Sequence, residues 1–301
     1  MAVNEILPKS GLDIEDGLVL GSSRGRLWRS LRGNKLGLFG GVLLVIVVLL
    51  AILAPILAPY GPAEVHFATP FQKPGTVGFL LGTDDLGRDV FSRMLFGMRA
   101  SLQVGVLCVL LAVGVGAPLG LLAGYWKWLD AIISRLTDVT LAFPFLIIAV
   151  GLAAISGPSL QNAAIALGVA YIPTMIRIVR GETLRIKESD FVLSAKTMDA
   201  SGLRIVFTHV LPNAASAIIV QATVIMPVAV IGEALLSFLG LGIQPPTPSL
   251  GIMLSDAQQY MFRSPTAAII PGLGIAVICL AFNLFGDALR DAFDPTASSR
   301  K

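Results

Sequence analysis

Residues 139–176 read VTLAFPFLIIAVGLAAISGPSLQNAAIALGVAYIPTMI, 38 residues without a charged side chain. A helix crossing the roughly 30 Å hydrocarbon core of a bilayer needs about 20 apolar residues. The run is therefore long enough for two crossings, and Gly157-Pro158 near its middle is the natural hairpin point. This reading sets the fold class as an all-α, polytopic membrane protein. Working outward, residues 36–62 carry no charge and end in the breaker set Pro55, Pro59 and Pro62, which gives a first span. Residues 101–124 give the second, the hairpin the third and fourth, 214 to about 238 the fifth and 264–286 the sixth. Six transmembrane helices are expected.

Composition agrees. Of 301 residues 55% are hydrophobic and 14% charged, with a mean hydropathy of +0.81. A soluble domain of this length needs far more charge to cover its surface. The net charge of +3 is too small to indicate nucleic-acid binding. Cys108 and Cys279 both fall in apolar runs and read as small buried hydrophobes, not as a disulfide or metal ligands. His66 and His209 are the only histidines, which excludes a histidine-rich metal site. The first 35 residues are polar and the first apolar run is too long for a signal core, so it is expected to remain as an anchor.

Lysine and arginine give the orientation. With the N-terminus inside, the inner segments hold 17 of the 22 basic residues. The outer segments hold only Lys73, Arg88, Arg93, Arg99 and Arg263. The positive-inside rule then puts both termini in the cytoplasm. It puts residues 191–212, FVLSAKTMDASGLRIVFTHVLP, there too.

That segment is a short amphipathic, basic helix-loop between two long apolar runs. Ser189 or Asp190 is an N-cap, and Gly202 is expected to end the helix at a left-handed position. Phe191, Val192, Ala195 and Met198 recur at helical spacing on one expected face, with Lys196 and Asp199 on others. Periodicity alone leaves two readings level: a partner-docking element, or an interfacial helix whose Lys and Arg meet anionic lipid.

The residues resemble the E-A-A-x3-G-x9-I-x-L-P loop of permease subunits of ATP-binding-cassette importers. Ser194 and Ala195 match the two alanine positions, and Leu203, Arg204, Ile205 and Phe207 the stretch that follows. His209, Leu211, Pro212 and Asn213 match the closing H-x-L-P-N form. Leu193 stands where that family usually has Glu, and Asp199 where it usually has Gly.

Three further motifs resemble permeases of the dipeptide, oligopeptide and nickel group. Residues 81–93, LGTDDLGRDVFSR, look like L-G-T-D-x-x-G-R-D-x-x-S-R, with Asp84, Arg88, Asp89 and Arg93 as the charged outer-face set. Residues 236–248, LSFLGLGIQPPTP, and 282–295, FNLFGDALRDAFDP, match two more. In the first, glycines and acids form a turn capping a helix over 89–99. It reads as a structural plug or lid across the outer end, or as a contact for a substrate-binding protein. In the second, three prolines in five residues make a rigid outer turn or a binding-protein surface. In the third, Asp287, Arg290, Asp291 and Asp294 fall at i, i+3, i+4 and i+7, giving ion pairs on a helix end.

Two residues inside the spans stand out. Glu233 interrupts an otherwise uncharged stretch from 210 to 254. A carboxylate at membrane depth faces the bundle interior or water, which makes it a candidate pathway residue, or an interfacial structural one near the outer end of the fifth span. Pro227 is expected to kink the fifth helix and is a candidate gate hinge. Asp138 is expected to pair with Arg135 one turn earlier.

No catalytic constellation and no G-x4-G-K-[ST] loop occurs, so the chain is not expected to hydrolyse ATP. The resemblance implies a type I ABC importer permease in the bacterial inner membrane. Its expected domains are a cytoplasmic segment 1–35, a first transmembrane helix 36–59, a periplasmic segment 60–100, a five-helix core 101–287 with coupling loop 180–213, and a cytoplasmic tail 288–301. It further implies a homologous second permease, two cytoplasmic ATPases and an extracytoplasmic solute-binding protein as partners, besides membrane lipid. No cofactor, metal or nucleic acid is implied. Dipeptides or oligopeptides are the leading substrates, with nickel chelates, glutathione and sugars as alternatives. The rival reading, a self-sufficient secondary transporter or channel, calls for inverted repeats and several midplane charges. Neither is evident.

Overall fold

A computed structural model describes residues 34–293, and their regular structure is helical. Helix α1, Lys35–Ile52, starts where the Asn34 side chain accepts the Gly37 amide at 3.0 Å. It breaks at Leu53, and one further turn, α2 (Ala54–Leu57), follows. The first span is thus shorter than the uncharged run, because Pro55 has no amide to continue the hydrogen-bond ladder.

Residues 58–89 form a chain of turns. The long helix α3, Val90–Tyr125, then runs for 36 residues, about 54 Å. The helix expected over 89–99 and the second span are one element. Asp89 caps it, its carboxylate accepting from the Ser92 amide at 2.8 Å.

Helix α4, Lys127–Leu141, and helix α5, Phe145–Ser156, meet at an 88° bend. The third crossing is therefore not the straight helix that the uncharged run suggested. Pro144 stands just before α5, removing an amide and pushing Phe143 out of helical conformation. With 12 residues, α5 is about 18 Å long, too short to cross alone. Five helices are long and apolar enough to cross a membrane, and the bent pair makes the sixth crossing if taken as one span.

The hairpin point is where the sequence put it. Gly157 takes φ +82°, and Ser159 caps helix α6, Leu160–Lys187. The Asn162 amide group donates to the carbonyls of Ser156 and Gly157, closing the turn. Helix α6 lies directly against α3. A Cβ at Gly116, Gly120 or Gly124 would fall 2.5–2.7 Å from the Cβ of Met175, Val179 or Thr183. This small-xxx-small seam lets the two backbones approach closely, as membrane helices do where hydrophobic burial cannot drive association. The same device joins α1 to the last helix, where Gly40 would collide with Leu284.

After α6 come α7, Asp190–Thr197, and the single turn α8, Gly202–Ile205. A π-helical turn, Val206–Val210, leads into α9, Leu211–Phe238. From Gly202 to Phe238 the chain is one helical run of 37 residues. Pro227 is buried within α9 and does not divide it. Helix α10, Leu250–Gln258, is capped by Ser249 and buries Leu250, Gly251, Ile252 and Met253. It was not foreseen, having nine residues and no distinct periodicity. Helix α11, Thr266–Phe293, closes the bundle.

Most of the remaining surface is apolar. Leu36, Phe39, Val42, Val45 and Ile52 of α1, for example, are more than half exposed. An apolar exterior of this extent is stable only in a non-aqueous surround.

Candidate docking loop and a buried clasp at opposite ends of one helix

The C-terminal end of α3 supports the loop 190–212. Inward-facing Val192, Ala195, Ile205, Val206 and Val210 enter the main hydrophobic core. Gly202 lies against the Tyr125 ring, where a Cβ would approach to 3.0 Å. Lys187 Nζ donates to the Tyr125 carbonyl at 2.5 Å and sits 5.2 Å from that ring's centroid. The loop is thus fastened to the bundle from below.

Its other side is free. Phe191, Leu193, Met198, Leu203 and Phe207 are exposed, Met198 at 77% and Phe207 at 63%. Ser194, Lys196, Asp199, Arg204 and Pro212 are exposed among them. His209, half-buried, stands 6.3 Å from the Phe191 ring, and Leu211 is half-buried. The single face expected for Phe191, Val192, Ala195 and Met198 is therefore split. Val192 and Ala195 turn inward and the other two outward: Met198 lies past the end of α7 at Thr197, and Phe191 stands about 100° around the helix from Val192.

The left-handed residue is also not the one expected. Asp199 takes φ +57°, while Gly202 opens the next helix. The Ala200 amide bonds back to the Ala195 carbonyl at 3.1 Å, a Schellman-type closure with Asp199 at the position that favours glycine.

Roughly 48 Å away along α3, its N-terminal end carries a buried ionic clasp. Gly82 and Gly87 have φ +79° and +75°, and a Cβ on either would fall within 2.2 Å of a backbone carbonyl oxygen. They fold residues 81–89 so that Asp84 turns inward. One Asp84 oxygen accepts the Leu86 and Arg88 amides, and the other accepts Arg88 Nε at 2.6 Å. Arg93, 3% exposed, lies 3.5 Å from Asp84 and 3.4 Å from Asp256 of α10, and Arg88 is 3.5 Å from Asp256. Burial pushes the Asp256 carboxyl up, against the pull of Arg93 and Arg88. Arg88 and Arg93 are five residues apart and share no helical face, but the turn brings both onto the same carboxylates.

Glu233 is fully buried, 0% exposed. Ser101 Oγ donates to one of its oxygens at 2.6 Å and Ser237 Oγ to the other at 2.7 Å. Ser237 Oγ in turn accepts the Ile243 amide, and Ser249 Oγ lies 3.5 Å from it. The knot ties α3, α9 and the cap of α10 together. Sequence reading missed Ser101, Ser237, Ser249 and Asp256 as its partners and the clasp's. Ser249 before an apolar run is a readable cap signal, but no local signal links Arg93 to Asp256, 163 residues on.

Two other expectations change. Asp138 pairs with Arg177 of α6 at 3.0 Å, not with Arg135, because α6 passes alongside α4 and its guanidinium is the nearer. Likewise Asp130 holds Arg180 through two bonds. At the C-terminus Asp291 accepts from the Asn34 side chain at 3.4 Å, bridging α11 to α1, and Asp294 lies outside the described residues.

Known proteins resemble most of this chain. Residues 116–299 match the family described as binding-protein-dependent transport system inner membrane component. Residues 22–74 match the N-terminal transmembrane domain of oligopeptide transport permease C. The dipeptide transport system permease protein DppC of Alkalihalophilus pseudofirmus is 42% identical over 90% of both chains. DppC of Haemophilus influenzae is 42% identical over 89% of this chain and 93% of its own. The glutathione transport system permease protein GsiD of Pectobacterium atrosepticum is 41% identical over 90% and 91%. Among solved structures, the inward-facing MetNI methionine ABC transporter aligns with a TM-score of 0.55 at 19% identity, covering 67% of this chain and 97% of that one. The fold is that of a type I ABC importer permease, and the chain belongs to the binding-protein-dependent transport system inner membrane component family, as an ABC-transporter permease subunit.

Proposed function

We propose that this chain pairs with a homologous second permease in the bacterial inner membrane, with both termini cytoplasmic, and forms half of a path for short peptides. Two cytoplasmic ATPases supply the energy, and an extracytoplasmic solute-binding protein delivers the substrate. Peptide is favoured because relatives are named for dipeptides and for glutathione, itself a tripeptide. Lys127, Lys187, Lys196 and Arg204 at the loop end of α3 favour that end as cytoplasmic.

The observation that carries this reading is the two-sided loop. Five apolar side chains enter the core while five others project outward. An exposed apolar cluster on a rigidly anchored element is what a protein partner covers. The coupling set Phe191, Val192, Leu193, Ser194, Ala195, Lys196, Met198, Asp199, Gly202, Arg204, His209, Leu211 and Pro212 then divides by role. Val192, Ala195 and Gly202 hold the lever to the bundle, and Phe191, Leu193 and Met198 meet the ATPase.

Because α8, the π-helical turn and α9 are continuous, a push on Leu203 or Phe207 travels along α9 toward Glu233. Closure of the ATPases would rock this helix and alternate the access of the path. The test is purification of the tagged chain from native membranes with identification of its companions by mass spectrometry. A second permease and ATPases are expected, and Leu203→Asp with Phe207→Asp should lose the ATPases while keeping the permease. A chain recovered alone that transports without ATP would overturn the assembly.

A further inference from the structure

Beside the docking loop a cleft of about 380 Å³ opens between the ends of α3 and α6 and the start of α4. Lys127, Lys187 and Lys196 line it, with Leu193, Asp130 and Glu188. Asp130 is engaged by Arg180, and Lys187 by the Tyr125 carbonyl. Three lysines therefore face a cleft in which Glu188 is the carboxylate without a salt bridge among the described residues, and the cleft is net positive.

A second observation fixes its level. Helix α4, which begins with Lys127, exposes Trp128, Ile132, Leu136 and Val139 at steps of four, four and three, an apolar stripe in which Arg135 is also exposed. Its acidic residues Asp130 and Asp138 pair with α6. A helix with an exposed apolar stripe, a Trp at its start and basic side chains beside it is built to enter the membrane with that start at the interface. The stripe then runs into the hydrocarbon from the point where the lysines sit, at the depth of the phosphates.

We propose that this cleft binds the phosphate of an anionic phospholipid headgroup, with an acyl chain lying along the stripe of α4. A neutral zwitterionic headgroup brings a cation along with its phosphate and binds more weakly. The site adjoins Leu193 and Lys196 of the docking loop, so an occupying lipid would steady α7 from the membrane side. This does not depend on which solute or which ATPase the chain serves.

The test uses the full-length chain, with whatever subunits accompany it, in nanodiscs of phosphatidylglycerol, of phosphatidylcholine, or of phosphatidylcholine plus inorganic phosphate. Lipid retained after detergent extraction is counted by native mass spectrometry. Phosphatidylglycerol should be retained selectively, and Lys127→Gln with Lys196→Gln should weaken its binding roughly 30-fold, from about one kcal/mol per interfacial basic residue. Leu193→Glu places a carboxylate in the cleft while removing no lysine, and should also expel the lipid. Lys127→Arg with Lys196→Arg should retain it, which controls for folding. Equal retention of both lipids, or retention unchanged in the Gln and Glu variants, overturns the proposal. Displacement of the lipid by millimolar inorganic phosphate assigns the cleft to a free anion and overturns the lipid assignment.

Discussion

The two ends of α3 solve opposite problems. At its N-terminus, Asp84, Arg88, Arg93 and Asp256 are folded inward and satisfy one another. At its C-terminus, Phe191, Leu193, Met198, Leu203 and Phe207 point outward with nothing to cover them. In the first region the charged groups find their partners within the chain. The second leaves a cluster of large apolar side chains exposed, the kind of surface that a protein partner covers. On the function proposed above, the exposed hydrophobes mark the working end, although charge usually marks function in a membrane protein.

The strongest attempt to break this contrast removes a clasp charge. Arg93→Ala leaves Asp84 and Asp256 with only Arg88 and is expected to cost roughly 3 kcal/mol, the low end for a buried pair because Asp256 is a third exposed. Thermal unfolding of the purified chain in detergent measures it. The double variant Arg93→Ala with Asp256→Ala should lose less than the sum of the singles. Additive losses would mean that the two do not interact.

Glu233 gives the next effect. Glu233→Ala strands the Ser101 and Ser237 hydroxyls and should destabilise by about 1–3 kcal/mol. Glu233→Gln, which still accepts one of these bonds, should lose clearly less. A Gln variant that is fully stable but changes which solute is taken up would place this residue on the path.

Smaller still, and of a different kind, is the effect at the docking face. Leu203→Ala or Phe207→Ala should shift unfolding by no more than about 0.5 kcal/mol. Each should weaken ATPase association by at least about 1 kcal/mol in a pull-down titration. Val192→Ala, one helical step from the exposed face, should do the reverse and cost stability, since it opens a cavity in the core. If both kinds of variant behave alike, the loop has no two sides.

The smallest effect is a gain. Asp199→Gly relieves the φ +57° backbone and should stabilise the loop by up to about 1 kcal/mol, read by hydrogen exchange at Ala200. No change would mean that the aspartate side chain already compensates there.

Much of this molecule could be read from its sequence. The uncharged runs, the Gly157 hairpin and the docking loop depend on length, charge and turn chemistry within a few residues of each other, which a linear reading samples directly. The glycines of 81–93 were legible as a turn, since φ above zero is a local requirement. Other features were out of reach. Arg93 meets Asp256 across 163 residues and Ser101 meets Glu233 across 132, and nothing near either partner announces the other. Whether Val192 faces in and Met198 out depends on where α7 stops, which the Schellman closure at Asp199 decides. Sequence alone therefore determined which stretches are apolar enough to lie in a membrane, because the bilayer tests each segment separately. Only the tertiary structure decided which charges are spent inside the protein, because that depends on which side chains the close helix packing of α3, α6 and α9 brings within bonding distance.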